Sequence, residues 1–318
     1  MTETMIHISG VTRLFGSVKA LDNIDLQVHR GEVMGFLGPN GAGKTTTMRI
    51  LSGLLAPSEG SIAVAGIDIL ENPVEARARI GFLPENPPIY GEMTVREYLT
   101  YLATLRRVAA NQLTTAVDRA MERCGLTAVA NRLLRNLSKG YKQRAGIAQA
   151  IVHGPDVVIL DEPTVGLDPI QIREIRQLIR ELGGEHSVLL STHILPEVRM
   201  TCQRVAVIHQ GRIVADDSID GLENRARGKS SHFLRWSQPP SLELLKKIPG
   251  VANVTPKEEG WLITALPETD PLPELVRLSV SSGWNLRELS PAGGSLEDIF
   301  LQLTTREERP HEGEELSA

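Results

Sequence analysis

Short apolar runs alternate with longer stretches of helical periodicity over the first two thirds of the chain. Each run is rich in β-branched residues and is flanked by turn residues, which is the pattern of a strand buried on both faces of a parallel sheet. Such alternation is typical of an α/β domain. The predicted buried strands are Val33–Leu37, Val157–Leu160, Ser187–Ser191 and Arg204–Ile208.

Half-buried strands and an inserted helical segment accompany this sheet. Apolar and polar residues alternate in HISGVTRLF, IDLQV and SIAVAG, which predicts a smaller antiparallel sheet beside the parallel one. The segment Met93–Arg107 has apolar positions at helical spacing and begins with a Thr94–Glu97 capping pattern. Because helical composition continues to about Asn136, we predict a helical subdomain inserted between strands of the main sheet.

The composition changes near Asp220, where the polar segment GLENRARGKSS marks a domain boundary. Beyond it the apolar runs predict the order β-α-β-β-α-β of a ferredoxin-like unit, followed by a helix at 296–303. The segment TREERPHEGEELSA holds five Glu against two Arg and predicts a disordered acidic tail. We therefore divide the chain into a nucleotide-binding domain at 1–220, a small α+β accessory domain at 221–304 and a tail at 305–318.

Composition narrows the class of protein. The 318 residues are 41% hydrophobic and 23% charged, which is typical of a globular chain. The formal net charge of −5 disfavours nucleic acid as a partner. Cys124 and Cys202 have no metal-ligand spacing, and the sequence shows neither a signal-peptide pattern nor an apolar run long enough for a bilayer. We expect a cytoplasmic chain whose membrane role, if it has one, depends on a partner.

A phosphate-binding loop follows the first buried strand. Residues 38–45, GPNGAGKT, match G-x-x-x-x-G-K-[ST] between a strand and a helix. Backbone N–H groups of such a loop, together with the positive end of the following helix, hold phosphate oxygens. Lys44 is expected to reach the β- and γ-phosphates and the Thr45 hydroxyl to ligate Mg²⁺. The alternative, a Gly-rich turn that only starts a helix, is disfavoured by the strand and helix around it.

Two carboxylates end the second buried strand at Asp161-Glu162. The carboxyl ends of parallel strands meet at one edge of a sheet, which is also the edge of the phosphate-binding loop. We expect Asp161 to hold Mg²⁺ and Glu162 to act as a general base toward water. Such a pair alone is often a solvated turn, but the neighbouring phosphate loop favours the catalytic interpretation.

Between these motifs lies LSKGYKQR at 137–144, which resembles the LSGGQ signature of the nucleotide-binding subunits of ABC transporters. The other motifs of that family occur in order over about residues 5–220. They are Phe15, Glu85 within GFLPENPPIY, Gly166-Leu167-Asp168 and Ser191-Thr192-His193. The resemblance implies an α/β P-loop NTPase fold: a mixed core sheet, an antiparallel β subdomain and an inserted helical subdomain, with the small C-terminal α+β domain added.

The resemblance also implies ATP and Mg²⁺ as cofactors and a role for each motif. His193 would sense the γ-phosphate, and Ser138 and Gly140 would touch the nucleotide held by a second copy. Plain packing for Phe15 and a structural role for His193 are the alternatives. The implied nucleotide-binding residues are Phe15, Gly38, Pro39, Asn40, Gly41, Ala42, Gly43, Lys44, Thr45, Thr46, Ser138 and Gly140; the catalytic residues are Lys44, Glu162 and His193; the metal ligands are Thr45, Glu85 and Asp161.

Three positions depart from the common pattern of that family. Glu85 stands where Gln is usual, Lys139 and Tyr141 replace Gly and Gln in the signature, and Gly166 replaces Ala. Lys139 either adds charge near the γ-phosphate or points to solvent. Because Glu162 and His193 are both present, we expect a site competent for hydrolysis.

Four segments resemble the branch whose ATPase is a separate polypeptide serving ABC-2 type permeases, which are export systems: LSKGYKQR, LPENPPIY, STHILPEV and SLEDIFLQLT. That branch implies a second copy and an integral-membrane permease as partners, with the chain peripheral at the cytoplasmic face of the cell membrane. Residues 86–90 would receive a coupling helix of the permease or form a rigid surface loop. The alternatives are a soluble ABC ATPase acting on nucleic acid or ribosomes, disfavoured by the single P-loop and the lack of a cysteine cluster, and a nucleotide-binding scaffold with little turnover.

Overall fold

The computed structural model describes residues 3–222, 231–257, 259–266, 269–291 and 300. The chain divides into two compact units, Met1–Asp217 and Ser218–Ala318. Within the described ranges, no helix combines the length and the apolar character needed to cross a membrane. Apart from Phe300, the helix predicted at 296–303 and the acidic tail at 305–318 lie outside the described residues.

Ten strands and seven α-helices are described along the first unit. The strands are β1 Thr4–Phe15, β2 Val18–His29, β3 Val33–Leu37, β4 Glu59–Val64, β5 Ile67–Asp68, β6 Ile80–Leu83, β7 Val157–Asp161, β8 Ser187–Thr192, β9 Arg204–His209 and β10 Arg212–Ser218. The helices are α1 Lys44–Leu51, α2 Pro73–Ala78, α3 Val95–Leu105, α4 Leu113–Arg123, α5 Lys139–Ile151, α6 Pro169–Leu182 and α7 Leu195–Thr201, with 3₁₀ turns at Thr127–Val129 and Leu134–Asn136.

A six-stranded sheet in the order β10-β9-β3-β8-β7-β6 forms the centre of this unit. The pairs β9–β3, β3–β8, β8–β7 and β7–β6 are parallel, so their carboxyl ends share one edge. A second sheet, in the order β2-β1-β4-β5, is antiparallel. Both predicted sheets are therefore present in the fold.

The central sheet separates two hydrophobic cores. Alternate residues of β7 illustrate this, since Val158 and Leu160 face one core while Val157 and Ile159 face the other. The first core also contains α3, α4 and α5 of the helical subdomain, and the second contains the antiparallel sheet and α1. Burial on both faces explains why the central strands are continuous apolar runs.

The predicted helical segment is found between β6 and β7. Its helix α3 begins with a complete capping box: the Thr94 hydroxyl accepts from Glu97 N at 3.2 Å, and the Glu97 carboxylate accepts from Thr94 N at 2.8 Å. Tyr98 and Leu99 on α3 are fully buried against α4 and α5. The subdomain is thus joined to the sheet through α5, which runs back to β7.

The described part of the second unit has the predicted order β-α-β-β-α-β. Its elements are β11 Ser231–Trp236, α8 Leu242–Lys246, β12 Val251–Lys257, β13 Gly260–Ala265, α9 Leu272–Ser281 and β14 Leu286–Pro291. They form an antiparallel sheet in the order β12-β13-β11-β14, which is the strand order of a ferredoxin-like unit. Leu234, Leu245, Ile263 and Leu275 form its core, and buried Trp236 donates Nε1–H to Ser279 Oγ at 2.7 Å.

Candidate functional site

The phosphate-binding loop connects β3 to α1 through two glycines in the left-handed region, Gly41 with φ 79° and Gly43 with φ 110°. Side chains disfavour this backbone, so glycine is required here. A Cβ on Gly43 would also collide with the side chain of Leu21 and the carbonyl of Ala20, so β2 packs directly against the loop. Since the first turn of α1 holds no acidic residue, its positive end is unopposed.

Lys44 is almost completely buried, at 6% exposure. Its ammonium donates to the carbonyls of Gly38 at 2.9 Å and Pro39 at 3.2 Å, and lies 3.5 Å from Oε1 of Glu162. A buried cation requires such partners because water cannot solvate it. The loop thus holds a positive charge at the position where the motif predicts phosphate.

Strand register brings the predicted chemistry to one edge of the sheet. Leu37 at the end of β3 pairs with Thr192 of β8, and Asp161 at the end of β7 pairs with Ser191 of β8. The N–H of Glu162 also donates to Ser191 O at 2.9 Å. Lys44 follows β3, Glu162 follows β7 and His193 follows β8. The segments that carry these three residues therefore lie side by side.

Glu162 and His193 are in direct contact. The Nδ1 atom of His193 lies 2.9 Å and 3.0 Å from the two carboxylate oxygens of Glu162. The carboxylate is 8% exposed, while the imidazole is 42% exposed. Glu162 also has φ 49°, a left-handed conformation that a residue with a long side chain rarely adopts, and such strain is concentrated at functional sites.

Asp161 lies deeper, at 1% exposure. Burial raises the pKa of this carboxyl, and the charges of Glu162 and Glu85 raise it further, while the hydroxyls of Ser191 and Thr45 lower it. Within the described part of the chain its Oδ1 has no hydrogen-bond partner. An unpaired buried carboxylate oxygen beside a hydroxyl suits a hard cation, which prefers oxygen ligands.

Comparisons with known proteins bear on the family of this chain. Residues 21–165 match the profile of the family described as ABC transporter. The chain is 35% identical over 302 residues to the bacitracin transport ATP-binding protein BcrA of Bacillus licheniformis, covering 94% of this chain and 97% of that protein. The chain belongs to the ABC transporter ATP-binding proteins. It is an ATPase.

Further relatives extend the match over both units and to solved structures. The daunorubicin resistance ATP-binding protein DrrA3 of Streptomyces coeruleorubidus is 33% identical over 316 residues, covering 98% of this chain and 99% of that one. The dimeric structure of a bacterial ABC transporter cassette superposes with a TM-score of 0.61 at 25% identity, over 68% of this chain and 99% of that one. The ABC ATPase fold predicted from the motifs is confirmed.

Two further predicted residues of this ATPase are Glu85 and Phe15. Glu85 is exposed in the loop after β6, and its negative charge contributes to the raised pKa of Asp161. Phe15 ends β1 with 46% of its surface exposed. The guanidinium of Arg13 lies 4.7 Å above one face of the Phe15 ring and donates to Ala56 O at 2.9 Å.

The signature segment is shaped by its neighbours. Ser138 caps α5 by accepting from Tyr141 N at 3.4 Å, and Gly140 is buried because the side chain of Gln171 packs where a Cβ would stand. Lys139, the departure from the common signature, is exposed. Its ammonium lies against Gly166, where a Cβ would collide with it.

Sequence reasoning missed one charged residue of the site. Glu197 in the first turn of α7 is 1% exposed and joins the two loops that carry Glu162 and His193. In the sequence, Glu197 is recognisable only as an acidic residue in the first turn of a helix. Such a residue indicates a favourable charge near the helix N-terminus and nothing about a site. Its partners are distant in sequence, so no local pattern identifies them.

Proposed function

We propose that this ABC ATPase powers export through an ABC-2 type permease, closing as a dimer around ATP and opening after hydrolysis. One observation carries the proposal: a Glu162 oxygen lies 3.5 Å from the Lys44 ammonium and 2.9 Å from His193 Nδ1. A phosphate-binding cation, a candidate base and a candidate γ-phosphate sensor thus share one site. The names of BcrA and DrrA3, which concern bacitracin transport and daunorubicin resistance, support export.

ATP binding follows from the charge of the loop. Lys44, Thr46 and the backbone of residues 38–43 would hold the triphosphate, and Phe15 would stack on adenine with the ring face that Arg13 leaves uncovered. Asp161, the Thr45 hydroxyl and Glu85 would hold Mg²⁺, which when bound neutralises phosphate charge and aligns the phosphate oxygens. The unpaired Oδ1 of Asp161 supports this assignment.

Glu162 has the position of a general base. As the oxygen of a water molecule bonds to the γ-phosphorus, Glu162 would accept its proton, and the bond from phosphorus to the ADP oxygen would break. An ionised carboxylate only accepts hydrogen bonds, so His193 would donate to it through Nδ1–H, and Nε2 could also donate to a γ-phosphate oxygen only in the doubly protonated ring. The two side chains would thereby hold each other in place.

A second copy would complete the site. Helix α5 begins at the signature with no acidic residue in its first turn. Its N-terminus and the Ser138 hydroxyl would supply donors to a γ-phosphate bound by the partner, which is how the dimer would depend on ATP. Hydrolysis would remove that contact, and the dimer would open.

An exposed aromatic surface suits the permease. Tyr90 is 49% exposed, Tyr101 41% and Leu105 59%, and the rings of Tyr90 and Tyr101 meet edge to face at 5.9 Å. Aromatic side chains are enriched in protein interfaces. We assign this surface, beside residues 86–89, to a coupling helix of the permease, which would hold the chain at the cytoplasmic face of the cell membrane.

The substitution Glu162→Gln tests this function in the purified full-length chain. Losing a general base costs about 10² to 10⁴ in rate, so ATP should stay bound and the dimer should persist. Size-exclusion chromatography in Mg-ATP would measure the dimer, and phosphate release would measure turnover. The matched control Glu122→Gln, on the exposed side of α4, should behave as wild type. A Glu162→Gln chain that stays monomeric in ATP would contradict the proposal.

A further inference from the structure

A buried acidic side chain lies behind the catalytic edge of the sheet. Glu197 is 1% exposed, and both of its carboxylate oxygens are bonded. Oε1 accepts from the Thr164 hydroxyl, and Oε2 accepts from the Thr192 hydroxyl at 2.9 Å. The nearest cation is Arg176 of α6, whose Nη2 lies 3.7 Å from Oε1.

The two threonines belong to the two loops of the proposed site. Thr164 lies two residues after Glu162 and is 2% exposed; Thr192 is the last residue of β8, directly before His193. The Thr192 hydroxyl also accepts from the N–H of Ile194 at 3.1 Å, so it binds the backbone on the far side of His193 as well. One carboxylate therefore connects the backbones that carry the base and the sensor.

Burial of a carboxylate is unfavourable unless its oxygens are fully bonded. Core packing alone would be served better by an apolar side chain, whereas a carboxylate can bridge two hydroxyl donors on separate loops. We propose that Glu197 is a positioning residue, which through Thr164 and Thr192 sets the distance between Glu162 and His193. This inference rests on the proposed function, since it concerns the same hydrolytic site.

The expected consequence is a loss of rate without a loss of nucleotide affinity. Lys44 and the phosphate loop do not contact Glu197 in the described hydrogen bonds and ion pairs, so ATP binding should be retained. A misplacement of about 1 Å at a reacting group can cost about 10²-fold in rate. Breaking the bridge should therefore lower kcat and leave KM for ATP nearly unchanged.

The experiment compares Glu197→Gln, Thr164→Val and Thr192→Val in the full-length chain, with phosphate release measured over a range of Mg-ATP concentrations. Each variant should lower kcat by about 10- to 100-fold while changing KM less than about twofold. Because all three break one bridge, the double variant Thr164→Val/Glu197→Gln should be no slower than the slower single variant. Thr164→Ser, which keeps the hydroxyl, should recover most of the lost rate.

Glu32→Gln is the matched control, because Glu32 is also a largely buried acid, accepting from His29 N at 2.8 Å and facing Arg204. It precedes β3, at the opposite end of that strand from the phosphate loop, so kcat should be unchanged. A wild-type kcat in Glu197→Gln, or a change confined to KM, would overturn the positioning role. Multiplying effects in the double variant would do the same.

A crystal structure of the Glu197→Gln chain gives a readout that does not need turnover. The His193–Glu162 contact, 2.9 Å in the wild-type chain, should be broken or lengthened. An unchanged contact would overturn the inference. If the wild-type chain hydrolysed no ATP, the proposed function would fail instead, so the two failures are distinguishable.

Discussion

At the scale of single residues, two departures from the common ABC pattern lie next to each other. Gly166 has φ 71° and no side chain, and the ammonium of Lys139 lies in the space where a Cβ would stand. The lysine of the signature and the glycine after β7 are thus complementary within one chain.

Another residue-scale feature is a half-buried histidine that follows α5. The ring of His153 lies 3.2 Å from Ile80 O through Nε2, while its buried Nδ1 has no partner among the described residues. Burial, reinforced by Arg106 and His186 and opposed by the Ile80 carbonyl, lowers the pKa of His153 to about 4. The folded chain therefore binds this proton only at pH values where the unfolded chain already holds it.

We predict that His153 lowers the free energy of unfolding as pH falls from about 6.5, its usual pKa, to about 4. In that window the unfolded state binds more protons, so stability rises with pH, by at most about 1.4 kcal/mol per pH unit from this group. Above pH 6.5 it contributes no slope. Urea unfolding of His153→Gln should show a flatter pH dependence than wild type. The exposed control His7→Gln should follow the wild-type curve, and an unchanged slope in His153→Gln would refute the prediction.

Contiguous motifs were sufficient to single out Lys44, Asp161 and Glu162 as candidates, because the residues that define each motif are neighbours in sequence. Glu197 was not predictable in this way. Its partner Thr164 lies 33 residues away, and only the pairing of β7 with β8 brings the two loops together. The contact between Lys139 and Gly166 was not predictable either, because only the tertiary structure brings these two residues together.

At the scale of elements, strands buried on both faces were predicted closely. Val33–Leu37, buried at every position, has the predicted bounds because its apolar run ends where burial ends. The edge strand β10 was missed, since its residues are mostly half-exposed and polar. The apolar run Trp284–Leu289 predicts a strand from Trp284. Strand β14 instead begins at Leu286, because Asn285 adopts φ 54° and Trp284 packs edge to face on Trp236 at 6.0 Å.

The capping box of α3 provides a prediction at this scale. Thr94→Ala removes the side-chain oxygen that accepts from Glu97 N, and loss of such a cap costs about 1 kcal/mol. The free energy of unfolding, measured with urea, should fall by about that amount, while Thr94→Ser should retain most of it. The control Thr114→Ala, on an exposed position of α4, should be neutral or slightly stabilising because alanine favours helix. Equal losses in both alanine variants would argue against a specific role for the cap.

At the scale of the whole molecule, the proposed dimer divides each ATP site between two chains. Lys44 of one chain and Ser138 of the other would serve the same nucleotide, so Lys44→Ala and Ser138→Arg should each abolish most turnover. In a heterodimer of the two variants, one site combines the intact Lys44 with the intact Ser138, while the other site carries both substitutions. Random association of an equal mixture gives half heterodimers, each with one intact site, which is about a quarter of wild-type activity if the sites act independently.

We therefore predict that mixing the two inactive variants restores ATP hydrolysis, measured as phosphate release and compared with each variant alone at the same total concentration. The control replaces the Ser138→Arg chain with the double variant Lys44→Ala/Ser138→Arg, which leaves no intact site in any pairing. Activity should then stay at the level of the single variants. If the first mixture only averaged its components, each chain would be binding and hydrolysing ATP without a contribution from its partner, and the shared-site dimer would be wrong even though the P-loop and Glu162 remained the site of chemistry.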